Sequence, residues 1–213
     1  MSMSENCDCC EHRERLSRRA LVLSYFTVGY NVLEGVLSIL AGGLASSIAL
    51  IGFGFDSFTE SISGGIMIWR FSQTRLSEQE EQRVEARAVK LVGWSFFVLA
   101  AYVLFEASRK LVTREVPEPS LFGIIIAATS LVVMPVLFVA KQKTGRSMGS
   151  RSLLADSKQT LACTFMSAAL LVGLLANRMF GLWQADPVVG LAIGAWLVRE
   201  GVQTLREGHL CSC

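Results

Sequence analysis

Asp56 and Glu60 stand four residues apart in GFGFDSFTES, residues 52–61, a stretch otherwise made of apolar and small side chains. Four residues is about one helical turn, which puts the two carboxyls on one face with Cβ atoms about 5–6 Å apart. A second pair repeats the spacing: Gln159 and Cys163 in SLLADSKQTLAC, residues 152–163, with Asp156 nearly one turn before Gln159. Carboxylate, amide oxygen and thiolate all bind metals, and two such pairs on two rigid helices supply the ligand number of a tetrahedral divalent cation. Two carboxylates this close resist being charged together, which suits a site that exchanges a cation for protons. A plainer reading stands beside this one. Asp56 and Glu60 could be held by Ser57, Ser61 or Asn31 across helices, and a lone Cys163 could be a small packing residue. Asn31 and Glu34, three apart, also share a face; they read either as an interhelical hydrogen-bond clamp or as pathway groups around the site.

These residues sit inside apolar runs, so the elements that position them are membrane helices. About 20 largely apolar residues suffice to cross a bilayer, and six segments qualify: 20–43, 46–69, 91–112, 121–140, 152–177 and 182–204. Asp56, Glu60, Gln159 and Cys163 fall near the middle of their spans, where an acid costs about 2.5–3.5 kcal/mol to insert and therefore faces the bundle interior or a pathway. Residues 70–90 carry Glu and Arg at helical spacing and read as a solvated helical extension, and residues 141–152 read as a basic loop. Lys158 reads as a snorkelling lysine, and Glu106 as an interfacial acid. Placing both termini inside puts fifteen of the 20 Lys and Arg residues on the inner side and four on the outer, which satisfies the positive-inside bias.

The expected fold is an all-α membrane protein of six transmembrane helices, N-in and C-in, with no soluble C-terminal domain. Residues 1–19 form a cytoplasmic Cys-containing tail, 20–204 the six-helix domain and 205–213 a second Cys-containing tail. Composition agrees: 52% of the 213 residues are hydrophobic, 18% are charged and the mean hydropathy is +0.45. A net charge of +2 without a basic block gives no footprint for nucleic acid. The spans hold no histidine and no nucleophile–base pair, so an enzyme is not expected.

The residues resemble the cation diffusion facilitator transporters. The likeness runs through YNVLEGVLSILAGGLASSIALIGFGFDSFTES at 30–61, SLLADSKQTLACTFMSAALLVGLL at 152–175 and ADPVVGLAIGAWLVREG at 185–201. In that family a His/Asp-x-x-x-Asp pair on the second span and another on the fifth form the transport site. The resemblance lays Asp56 and Glu60 on the first pair and Gln159 and Cys163 on the second, with Asp156 on the acid of an Ala-Asp dipeptide. Asn31 and Glu34 match polar positions of the first span. It implies a homodimer, paired here through membrane helices, that exports a divalent metal from the cytoplasm against protons. The second pair here has neither histidine nor carboxylate. A thiol in the site favours zinc or cadmium, with cobalt and copper as further candidates, over manganese or magnesium. A bacterial inner membrane fits so compact a chain.

Five of the six cysteines lie at the ends: Cys7, Cys9, Cys10, Cys211 and Cys213. In a reducing cytoplasm they are free thiols, suited to capturing soft metal; palmitoylation is the rival reading. The alternative to an exporter is a metal-binding membrane protein that does not transport, a sensor or partner subunit, which the altered second pair would suit.

Overall fold

The computed structural model describes residues 3–44, 48–73, 77–113, 121–180 and 185–207; within these, the side chains of 3–13, 48, 49, 78, 173–180, 185, 186, 189 and 207 are not described. All the described structure is helical: α1 (Met3–Leu44), α2 (Ile48–Phe71), α3 (Glu78–Thr113), α4 (Leu121–Met148), α5 (Arg151–Phe180) and α6 (Ala185–Glu207). The six helices follow the order of the six expected spans. Three stretches, Glu14–Leu44, Gln79–Thr113 and Leu121–Met148, are long and apolar enough to cross a membrane by length and composition.

The bundle is inside-out by the standards of a water-soluble protein. Tyr25, Phe26 and Leu33 on α1, Trp94, Val98 and Phe105 on α3, and Phe122, Val132 and Val136 on α4 are exposed. Asn31, Glu34, Asp56, Glu60, Lys141, Asp156 and Gln159 are buried. An apolar surface this extensive is stable only against lipid, and the chain is an integral membrane protein.

Helices α2 and α5 pack against each other at the centre. α1 and α3 flank α2, α4 and α6 flank α5, and α1 meets α4 while α3 meets α6 and α5. The largest apolar cluster joins Met67 and Phe71 of α2, Val92, Phe96 and Leu99 of α3, Leu153 and Ala162 of α5, and Leu197 of α6. Glycine sets the spacing of α1 and α2. A Cβ on Gly54 would stand 2.7 Å from Ile39 Cγ1 and 2.8 Å from the Gly35 carbonyl oxygen, so only hydrogen fits between the two backbones.

Three sequence expectations change. The expected basic loop at 141–152 is mostly helix, since α4 continues to Met148. It stops in a Schellman turn: Gly149 takes φ 65°, the Ser150 amide donates to the Gly145 carbonyl (3.0 Å), and the Gly149 amide donates to the Arg146 carbonyl (3.2 Å). The stretch 78–90 is helical as expected but not solvated throughout, because Val84, Ala88 and Val89 are buried. It begins in a capping box. The Ser77 amide and hydroxyl donate to Glu80 Oε2 (2.9 and 2.7 Å), and the Glu80 amide donates back to the Ser77 hydroxyl (3.4 Å). Finally, Lys158 does not snorkel freely: its Nζ pairs with Glu200 Oε2 at 2.6 Å, tying α5 to α6.

Candidate metal site

Asp56 and Glu60 project from α2 toward Cys163 of α5, and all three are buried. The Cys163 thiol lies close to the carboxyls of both Asp56 and Glu60. Neither Glu60 oxygen has a hydrogen-bond partner, and neither does Asp56 Oδ1. Acceptors left bare in a buried site each cost about 1–3 kcal/mol, and more when charged. A bound cation or protons would remove that cost. Among the described residues no three His, Cys, Asp or Glu side chains are gathered as a metal cluster. Cys163 also packs with Met134 and Leu137 of α4, so its plainer packing role and its place at the carboxyl pair coexist.

The other sequence candidates have partners. Gln159 Oε1 accepts from the Ser95 hydroxyl of α3 (2.9 Å), and its Nε2 reaches the Thr59 carbonyl at 3.5 Å. Asp156 Oδ1 accepts from Ser63 of α2 (2.7 Å). Its Oδ2 lies 2.8 Å from Lys141 Nζ, both side chains fully buried. That contact is a close ion pair rather than an aligned hydrogen bond, since the ammonium aims at Thr160 Oγ1 (2.9 Å). Asp156 is therefore neutralised by α4, while among the described residues no such cation is paired with Asp56 or Glu60. Glu34 Oε2 accepts from Ser57 (2.9 Å) and Oε1 from Tyr30 (3.2 Å), so it clamps α1 to α2 beside the pair. Asn31 gives its Nδ2 to the Thr27 carbonyl (3.0 Å), and its Oδ1 is bare. The side chains of Cys7, Cys9, Cys10, Cys211 and Cys213 lie outside those described.

Sequence reasoning missed Lys141 and Glu85. Lys141 was readable from the hairpin once the turn at Gly149 is recognised, because antiparallel α4 and α5 then pair residues in fixed register. Ser167 donates to Ser130 (3.1 Å), and the same register sets Lys141 against Asp156. Glu85 of α3 binds Arg70 of α2. It also accepts from the Ser152 amide (2.9 Å) and hydroxyl (2.9 Å), and from the Ser150 hydroxyl (3.2 Å). It thereby caps the first turn of α5, where a carboxylate meets the positive end of the helix. Its partners are 15 and 65–67 residues away, beyond the reach of local pattern.

A cavity of about 70 Å³ opens between α2, α3, α5 and α6, lined by Gly52, Tyr102, Glu106 and Met166 among others. It stops one turn short of Asp56 and does not contain the carboxyl pair. Glu106 there is bonded to Arg109 Nη2 at 3.0 Å.

Residues 24–210 match the cation efflux transmembrane domain, and the chain belongs to the cation diffusion facilitator family. It is 22% identical over 191 residues to transmembrane protein 163 of Xenopus laevis, covering 89% of this chain and 67% of that protein. It is 21% identical over 186 residues to the magnetosome protein MamB of a Magnetospira species, covering 84% and 61%. It is 24% identical over 179 residues to the cation-efflux pump FieF of Cronobacter sakazakii, covering 82% and 58%. The chain thus spans roughly two thirds or less of the length of these relatives.

Proposed function

We propose that this chain exports a divalent heavy-metal cation from the cytoplasm by proton antiport, binding it between α2 and α5. The observation that carries the reading is the set of bare, buried acceptors on Asp56 and Glu60 facing the Cys163 thiol, in a chain of the cation efflux family. Asp56, Glu60 and Cys163 are the primary ligands. Gln159 joins by releasing Ser95, and Asp156 joins only if Lys141 lets it go. A site mixing carboxylate and thiolate selects zinc or cadmium, with cobalt and copper behind them. The protons displaced on binding are the natural counter-substrate, since an empty pair of close carboxyls holds at least one. We further place six crossings with both ends in the cytoplasm of a bacterial inner membrane, and a homodimer formed through membrane helices. The terminal thiols capture metal on the cytoplasmic side.

The test is metal flux into proteoliposomes of purified protein with a pH-sensitive dye inside. Zinc, cadmium, cobalt and manganese are compared for wild type, Asp56→Ala and Cys163→Ser. Flux with opposing proton movement, abolished in Asp56→Ala, is the expected result, and Cys163→Ser should shift preference away from cadmium. Metal binding without flux would replace the exporter with a sensor or partner subunit.

A further inference from the structure

The exposed apolar faces and the outer cavity carry no separate ligand chemistry, but α1 does. Asn31 is fully buried. Its amide is oriented by one bond, Nδ2 to the Thr27 carbonyl one turn back (3.0 Å), which leaves Oδ1 free to point away from its own helix. That oxygen has no hydrogen-bond partner.

The register of α1 against α2 shows what it points toward. Glu34 is bonded to Ser57 (2.9 Å). Two turns along, Gly64 sits against Val28, Thr27 and Ser24. The helices are antiparallel, so Asn31, midway between those contacts on α1, lies opposite Glu60, midway between them on α2. Glu60 is the residue with both oxygens bare. Facing each other across the α1–α2 contact are thus an amide oxygen and a carboxylate, with Asp56 one turn away and also carrying a bare oxygen. Ionised, all of these atoms are acceptors, and acceptors do not satisfy one another. In the empty site a shared proton satisfies some of them; in the loaded site a cation satisfies them together.

We propose that Asn31 Oδ1 is a ligand of the transported ion, so that the site spans α1, α2 and α5 rather than α2 and α5 alone. This rests on the reading of Asp56 and Glu60 as cation ligands. The amide supplies a neutral oxygen that is already bare, whereas Gln159 reaches the ion only by releasing Ser95. The shell becomes two carboxylates, one amide oxygen and one thiolate, a mixed set for a borderline divalent ion. Asn31 sets specificity: an uncharged oxygen there tolerates zinc or cobalt, whereas a third carboxylate would favour harder ions.

The experiment is calorimetric titration of detergent-purified, metal-free protein with zinc and with manganese, for wild type, Asn31→Leu, Asn31→Asp and Asp56→Ala, with metal-free thermal midpoints measured alongside. Asn31→Leu keeps the volume and removes the oxygen, and should weaken zinc binding about tenfold or more. Asn31→Asp should retain zinc and improve manganese relative to zinc by about tenfold; this readout survives if the leucine variant fails to fold. Zinc affinity unchanged in Asn31→Leu, or an unchanged metal preference in Asn31→Asp, overturns the inference. So does a fall in the thermal midpoint with affinity intact, which would make Asn31 a structural hydrogen-bonding group. Asp56→Ala separates the two levels. Lost binding there with Asn31→Leu unaffected refutes the α1 ligand alone; binding unaffected in Asp56→Ala refutes the α2–α5 site on which it rests.

Discussion

At the scale of single residues, the interior acids divide by what neutralises them. Asp156 has Lys141 at 2.8 Å and the Ser63 hydroxyl at 2.7 Å, and Glu34 has two hydroxyls. Asp56 and Glu60 keep bare oxygens. The first two are partnered inside the bundle, and the last two are the groups proposed to receive the cation. Lys141→Met tests the division. It leaves Asp156 buried beside an apolar group and should destabilise the bundle by about 3–5 kcal/mol, the usual cost of breaking one side of a buried pair. The double variant Lys141→Met with Asp156→Leu should recover most of that loss, because paired replacement by apolar residues is often neutral. Thermal unfolding in detergent measures both. Zinc transport retained by the double variant confines Asp156 to a structural role, and transport lost at recovered stability makes it a ligand. The carboxyl pair and its thiol were legible in the sequence because one-turn spacing is a local property. Lys141 was not: it reads as part of a basic run until the turn at Gly149 folds it onto α5.

At the scale of elements, the helices were legible from apolar run length, and their ends were not. Runs of apolar residues mark where lipid is, but α4 continues past its apolar part to Met148 because Lys141 and Gly145 find partners on α5. Likewise α3 begins before its apolar part, started by the Ser77–Glu80 box. Bonds from Ser77 hold the Glu80 carboxyl below its ordinary value. A depressed carboxyl contributes its capping above the ordinary Glu range and loses it as pH falls through the lowered value. Ser77→Ala should therefore raise the Glu80 midpoint toward the ordinary value, read from the side-chain carboxyl signal in an NMR titration; an unmoved midpoint would deny the box. Glu85 ties three helix ends at one side of the bundle, those of α2, α3 and α5. Glu85→Ala leaves Arg70 unpaired and the first turn of α5 uncapped, and should cost about 2–4 kcal/mol. Hydrogen exchange should rise first at residues 151–155. Uniform exchange along α5 would show that the first turn is held by other contacts. Between α1 and α2 the close approach at Gly54 leaves no room for a side chain. Gly54→Val should separate the helices at a cost of about 1–3 kcal/mol, and should also weaken zinc binding if Asn31 and Glu60 share an ion.

At the scale of the whole molecule, the way the bundle sits decides which face of the membrane each end of the site meets. Basic residues cluster near Arg70, at Lys143 and Arg146, and at Arg199 and Arg206, and the two-residue turn at Gly149–Ser150 lies among them. On the proposed topology, retention of positive charge on the cytoplasmic side would put that turn inside and the end of α3 at Thr113 outside. The connecting helix α4, with Phe122, Val132 and Val136 turned outward, then crosses from outside to inside. Thr113 and Ser147 are both exposed, one at each end of this crossing. Single cysteines at these positions, in a chain whose own cysteines are replaced, report the orientation through a membrane-impermeant maleimide. Thr113→Cys should label in intact cells, and Ser147→Cys only after permeabilisation. The reverse pattern would invert the bundle and put the cavity beside Glu106 on the cytoplasmic side, although the proton gradient would still set the direction of exchange. Labelling of both from one side would mean that α4 does not cross, and the α4–α5 hairpin that brings Lys141 to Asp156 would then lie on one side of the membrane. With the expected pattern, the outer cavity beside Glu106 faces the release side, and Asp56 stands one turn beneath it.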